Sequence, residues 1–300
     1  MKTIIKANQL FTQKETKSKL SRIVQFPLSR MIIVILFIAP ILVLRAVFSY
    51  VVLDNLEGNI EILIHYTETI ISIVLIFLAY RYYTKKIENR PAFELNHEKW
   101  YVEFAQGIGI GGGLVVIIVA LLALFGMYKI ANFNSPFVLF ERIFRYGIGS
   151  FVEEMIFTII IFRLIEEFAG TITSTIFVSL LFGIMHLGND NATILSSFSI
   201  SFEHLIILAP FILTRRIWMV WAIHFSWNYF QTAVFGMNNS GMAHGGFIKP
   251  LISGPEWVTG GSFGIEGSHI SIALNIIVGV IILWYAIKQQ QLVKASWRRR

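Results

Sequence analysis

The sequence predicts an all-α, polytopic integral membrane protein of about eight transmembrane helices. Its composition is far too apolar for a water-soluble domain: 55% of residues are hydrophobic and 14% charged, with a mean hydropathy of +0.67. Eight apolar runs, near 31–53, 62–80, 104–128, 147–168, 171–188, 193–213, 217–236 and 268–287, approach the about 20 residues needed to cross a bilayer. Basic residues gather beside these runs, which is the topogenic pattern of a membrane protein.

Taken in order, residues 1–30 carry seven Lys or Arg against one Glu, and no small-residue cleavage site follows the first apolar run. They read as a basic cytoplasmic arm on a retained anchor. Residues 31–137 read as a transmembrane scaffold. In its third run Gly107, Gly109, Gly111, Gly112 and Gly113 have the small-xxx-small spacing that lets helix backbones approach closely. No strand precedes these glycines and no Lys-Ser/Thr follows them, so they do not read as a phosphate loop. Arg45 and His65, lone polar residues near span ends, are expected to snorkel or pair.

Residues 138–287 form the membrane domain that holds every chemical motif. It includes 237–267, rich in Gly, Asn and Ser, too polar to span and long enough to cover a site as a loop. A basic tail, 288–300, ends the sequence. No solenoid period is present. Cysteine is absent, which excludes disulfides and thiolate chemistry.

The basic arm, Arg81, Lys85, Lys86, Arg90, Lys99, Arg215, Arg216 and the tail fall on one side of the predicted topology, whereas Asp54, Glu57, Glu61 and the 237–267 loop fall on the other. The positive-inside rule then places both termini in the cytoplasm. The net charge of +7 follows from this bias and from attraction to anionic lipid, so the expected partner surface is the bilayer and not a nucleic acid.

Three polar clusters inside apolar runs mark the candidate site: Glu153-Glu154, Phe182-x-x-x-His186 and His224-x-x-x-Asn228. Ionisable groups in hydrocarbon are costly and usually mark function. Glu153 and Glu154 point about 100° apart on a helix, so one is expected to face a cavity and the other a neighbouring helix. A desolvated carboxyl suits a general base that deprotonates water. The alternative is a pair satisfied by Arg142 or Arg145. Phe182 and His186 share a helical face, with the ring walling the imidazole from lipid. His224 and Asn228 also share a face, and two donors converging on one point are what an oxyanion hole requires. Two His plus a Glu, here Glu153, His186 and His224, are also a donor set for zinc with one open position, although the spacing does not match His-Glu-x-x-His. No cofactor is expected on the first reading. Glu203-His204 falls mid-span with no partner assigned, and His97, His244 and His269 read as solvated.

These motifs resemble the CPBP intramembrane proteases, a family that includes the type II CAAX prenyl endopeptidases and the bacterial Abi proteins linked to bacteriocin processing and immunity. The resemblance covers about 138–268. It runs through Glu153-Glu154 with Phe162-Arg163-Leu164-Ile165-Glu166-Glu167, then Phe182-Gly183-Ile184-Met185-His186-Leu187-Gly188-Asn189, then Trp221-Ala222-Ile223-His224-Phe225-Ser226-Trp227-Asn228. The segment Gly254-Pro255-Glu256-Trp257, Thr259-Gly260-Gly261 and Glu266-Gly267-Ser268 is similar to one in bacterial members. The resemblance implies an endopeptidase of the bacterial plasma membrane that cleaves a peptide or protein in or near the membrane. In it Glu153 activates water with help from His186, and His224 and Asn228 form the oxyanion hole.

Two features depart from the family. Its first motif is Glu-Glu-x-x-x-Arg, and this chain has Thr158 at the arginine position, so Glu154 lacks its i,i+4 ion-pair partner. The charge pattern also opens the cavity outward, whereas a CAAX substrate is presented in the cytoplasm. A non-catalytic immunity or membrane-partner binding protein using the same cavity is the alternative function. A transporter would use intramembrane carboxylates too, but the expected inverted repeat and broken helices are missing.

Overall fold

The apolar runs fold as helices. The computed structural model describes residues 5–52 and 58–299; Asp54 and Glu57 of the acidic outer loop lie outside the described residues. A short helix α1 (Lys19–Gln25) leads into α2 (Pro27–Val51), α3 (Gly58–Tyr83) and α4 (Trp100–Leu124). After strand β1 (Tyr128–Phe133) come α5 (Phe137–Glu154), α6 (Arg163–Ala169), α7 (Thr171–Met185), α8 (Ile194–Thr214) and α9 (Ile217–Asn228). Strand β2 (Ile248–Ile252), a single turn α10 (Glu256–Thr259) and α11 (His269–Lys288) complete the order.

Six helices among the described residues are long and apolar enough to cross a membrane, and they coincide with six of the eight predicted spans. The other two predicted spans, 147–168 and 217–236, are helical but not single α-helices. The first runs from α5 through a π-helical stretch Met155–Phe162 into α6, and the second passes from α9 into a π-helical stretch Tyr229–Val234. Each widening begins one residue after a candidate site residue, Glu154 or Asn228. Such turns shift the face that downstream residues present, and they recur at functional sites.

Helix α8 is the centre of the bundle: 72% of its apolar window is buried, against 11–44% for the other five long helices. It lies between α7 and α11, and α4 packs along α9. The outer helices keep large apolar side chains exposed, as at Ile32, Leu36, Val43 and Leu44 of α2. Water would not tolerate so large an apolar face, so the protein is an integral membrane protein.

The glycines of α4 do what their spacing predicts. A Cβ on Gly107 would stand 2.6 Å from both the Ala222 Cβ and the Met219 carbonyl oxygen of α9, and one on Gly111 would meet Ser226 Oγ at 2.5 Å. Gly109 and Gly113 face open space. We expect Gly111→Ala to lower stability by about 1–3 kcal/mol through overpacking. Gly109→Ala should be neutral or stabilising by up to about 1 kcal/mol through helix propensity. Melting temperatures of the two variants check this, and equal values would remove the close α4–α9 contact as their explanation.

The 237–267 segment is more ordered than a loop. β2 pairs antiparallel with β1, Tyr128 opposite Ile252 and Phe133 opposite Ile248. Asn134 extends the seam, its backbone N–H donating to the Phe247 carbonyl and its side chain to that of Gly246. This two-stranded ribbon ties the segment to the entry of α5 and holds it over the ends of the site helices. The predicted pairing of Arg45 and His65 is present, both on Glu68, at 3.1 and 3.2 Å.

Candidate active site

Glu153 and Glu154 close α5 and have different surroundings, as adjacent residues on a helix must. Glu154 is fully buried. Its Oε1 lies 2.7 Å from His224 Nδ1, and its Oε2 accepts a hydrogen bond from Thr158 Oγ1 at 2.6 Å. The Glu153 side chain is 42% exposed, with Oε2 3.7 Å from His224 Nε2. His224 therefore stands between two carboxylates, one facing each ring nitrogen. A carboxylate only accepts, so Nδ1 carries a proton and the tautomer is fixed from the buried side.

This arrangement corrects one expectation and resolves another. Arg142 and Arg145 do not satisfy the Glu pair: Arg142 donates to the His244 carbonyl at 2.8 Å, and Arg145 lies 3.4 Å from the ring nitrogens of the same histidine. His244 is half-buried. Burial, then the Arg145 and Arg142 charges, holds its pKa below the ordinary value. Thr158, at the position of the missing arginine, supplies a neutral donor to Glu154 in place of a charge. His97 and His269 are exposed, as expected.

Helix α7 ends at Met185, and a single 3-10 turn, His186–Gly188, carries the next histidine. His186 Nδ1 is 2.7 Å from the Phe182 carbonyl, which only accepts, so the proton sits on Nδ1 and Nε2 presents a lone pair. Phe182 and His186 share a face as the spacing predicts, with ring centroids 4.7 Å apart. The same phenyl ring stacks on His204 at 4.2 Å and 11° and meets His224 edge-on at 6.2 Å. One aromatic ring thus spaces three imidazoles from three helices.

Asn228 Oδ1 accepts from Asn239 Nδ2 at 2.9 Å. That bond fixes the amide so that Asn228 Nδ2 remains as a donor toward the site. Asn239 is itself held by Glu266, which also accepts from Gln231 and from the backbone and hydroxyl of Ser240. Burial pushes the Glu266 carboxyl above its ordinary range, and the Ser240 and Gln231 donors oppose that shift. A cavity of about 60 Å³ lies among α7, α8, α9, α11 and this segment, and Phe182, His186, His224 and Asn228 line it with Glu203, His204, Ser240, Glu266 and Asn275. It has room for several waters.

Four predicted residues therefore line one cavity, with Glu153 and Glu154 at its His224 edge. Composition did not signal Asn239, Ser240, Gln231 or Glu266 as members of the site, since they belong to a Gly- and Asn-rich segment or a helix end. Glu203 and His204, noted mid-span without partners, do line the cavity. Among the described residues no three His, Asp or Glu are grouped to hold a metal ion, and the zinc alternative of Glu153, His186 and His224 forms no such group.

Residues 134–230 match a family model described as type II CAAX prenyl endopeptidase, Rce1-like. That stretch is about a third of the chain and contains Glu153, Glu154, Thr158, Phe182, His186, His224 and Asn228. No curated protein and no solved structure matches the chain.

Proposed function

We propose that the protein is an intramembrane endopeptidase in which Glu153 activates a water molecule and His224 with Asn228 stabilises the tetrahedral oxyanion. The observation that carries this reading is the line Glu154–His224–Glu153 at the edge of the cavity. Glu154, buried and fixed by Thr158, is the positioning group: it orients the imidazole and balances its charge. Glu153, with 42% of its side chain exposed, is left as the group that takes a proton. The 3.7 Å between Glu153 and His224 Nε2 is longer than a hydrogen bond and leaves the two groups available to different reacting atoms.

In the proposed reaction a water hydrogen-bonded to Glu153 and to the Nε2 lone pair of His186 gives its proton to Glu153 as its oxygen attacks the carbonyl carbon. A second proton on His224 Nε2 makes the ring an imidazolium, a charge matched by the two flanking carboxylates. This N–H and Asn228 Nδ2 receive the charge that develops on the carbonyl oxygen. Glu153 then returns the proton to the leaving amine, and the C–N bond breaks to give an amine and a carboxylic acid, which gives up its own proton to solvent on release. Both termini are assigned to the cytoplasm from the clustered basic residues.

The oxyanion hole supplies the test. Asn228→Ala in purified protein reconstituted with peptide substrate should lower kcat by about 10²-fold, close to 3 kcal/mol, with little change in KM, because the donor acts on charge present only in the transition state. Asn239→Ala, which releases the amide, should show a smaller loss of the same kind. An unchanged kcat for Asn228→Ala contradicts the assignment. Stoichiometric zinc in active protein, lost on His224→Ala, would replace it with the metal reading.

A further inference from the structure

The cavity extends past the catalytic groups to an inner end formed by α8 and α11, which the reaction above does not use. Glu203 and His204 project from α8, and Asn275 from α11. Glu203 is 8% exposed and accepts from Ser271. His204 is 1% exposed; its Nδ1 lies 3.5 Å from Ser179 Oγ, and its Nε2 reaches no hydrogen-bond partner. Asn275 is also 1% exposed; its Nδ2 donates to Ser271 Oγ at 3.3 Å, while its Oδ1 reaches no partner. Buried polar atoms left unpaired are costly, and two in residues that line one cavity point to a polar group supplied from outside.

The chemistry of that group follows from what surrounds it. The Ser179 hydroxyl can donate to His204 Nδ1, which leaves the ring proton on Nε2, or accept from it, which leaves Nε2 a lone pair; Asn275 presents a carbonyl oxygen and Glu203 a carboxyl group in either case. Glu266 adds a second carboxyl to the lining, and the lining contains no Lys or Arg. A ligand carboxylate would bring only acceptors and would meet two acidic groups with no cation to offset them. A primary ammonium brings three donors and no acceptor, as a compact point charge. Ile206, Ile207 and Trp227, in the same lining, give its alkyl stem an apolar wall.

We propose that this inner end is a subsite for a primary ammonium group, supplied by a lysine side chain near the scissile bond or by the α-amino group of a peptide. The assignment to a substrate rests on the endopeptidase reading; binding of the ammonium group does not. The cavity therefore selects cationic over acidic peptide segments.

n-Butylammonium tests the subsite on the full chain in detergent micelles, with n-butanol and butyrate as controls. It should raise the melting temperature of the wild type and of Glu153→Gln, with the controls giving no comparable shift. Glu203→Gln should weaken its apparent affinity by about tenfold or more, as expected for loss of a charge-assisted hydrogen bond. If Glu203→Gln does not yield folded protein, Asn275→Ala takes its place. An equal shift with butanol, no shift with butylammonium, or a shift unaltered in the variant overturns the proposal. Peptides in which lysine or norleucine is scanned across the cleavage region, each with a free or acetylated N-terminus, identify the source. The lysine peptide should be cleaved about tenfold faster in kcat/KM than the norleucine peptide, a ratio that Glu203→Gln reduces. A gain that follows the free N-terminus assigns the group to the α-amine. Butylammonium binding without cleavage of any peptide leaves the subsite standing and removes the endopeptidase reading. Cleavage without butylammonium binding or lysine preference does the reverse.

Discussion

Glu153→Gln is expected to reduce peptide cleavage by about 10²-fold or more, the range for losing a general base, while leaving the melting temperature close to that of the wild type. The two halves of this expectation come from one observation. The Glu153 side chain is 42% exposed and lies 3.7 Å from His224 Nε2, beyond hydrogen-bond distance, so the fold gains little from it. Gln keeps the shape and loses the ability to accept a proton. Glu154→Gln should behave differently, since its carboxylate is fully buried between His224 and Thr158, and its loss should lower both activity and melting temperature. His186→Ala should follow Glu153→Gln in activity. Cleavage and melting curves of the three purified variants decide the matter. More than half the wild-type activity in Glu153→Gln would sink the assignment, and an intact binding phenotype in an inactive protein would favour the non-catalytic partner-binding alternative.

The helices of this protein were legible because hydropathy reports burial in lipid directly, and six of the eight apolar runs coincide with long apolar helices. The π-helical stretches were not legible. Met-Ile-Phe-Thr-Ile-Ile-Ile-Phe reads as any apolar helix, and nothing in its composition marks the widening. The ribbon was hidden for another reason. Tyr128 pairs with Ile252 across more than a hundred residues, and a strand pair with so distant a partner carries no local turn signal.

The site divides along the same line. Phe182-x-x-x-His186 and His224-x-x-x-Asn228 are local helical spacings, and their shared faces follow from geometry alone. The partner of Glu154 is not local. An i,i+4 argument makes Thr158 a loss, and nearby Arg142 and Arg145 look like substitutes. The structure instead closes the gap with His224, 70 residues away, and with the threonine hydroxyl itself. Glu266 shows the limit most clearly: the sequence places it in a segment similar to one in bacterial family members but gives it no partner, and only the folded chain brings it under Asn239, Ser240 and Gln231.

The largest expected loss of stability lies outside the cavity, at Glu88. This carboxylate has no exposed surface and joins three arginines: Arg30 Nη1 and Arg163 Nη2 each lie 2.9 Å from Oε1, and Arg90 Nη2 lies 2.7 Å from Oε2. The Tyr83 hydroxyl donates to it as well, at 2.9 Å. Glu94 takes further contacts from Arg90 and Arg163, and Glu167 one from Arg30, so the cluster balances three guanidinium groups against three carboxylates. It links α2 and the segment after α3 to α6, directly downstream of the π-helical stretch that follows Glu154. Glu88→Gln keeps the volume but leaves the arginines one charge in excess with no water to screen it. Removing one partner of a buried ionic cluster typically costs about 3–5 kcal/mol. Unfolding in mixed micelles against increasing dodecyl sulfate should show a loss of about that size for Glu88→Gln. Arg45→Gln breaks a partly exposed pair with Glu68 and should cost under about 1 kcal/mol. Equal losses in the two variants would mean that the buried cluster holds the scaffold to the site helices no more firmly than a surface ion pair.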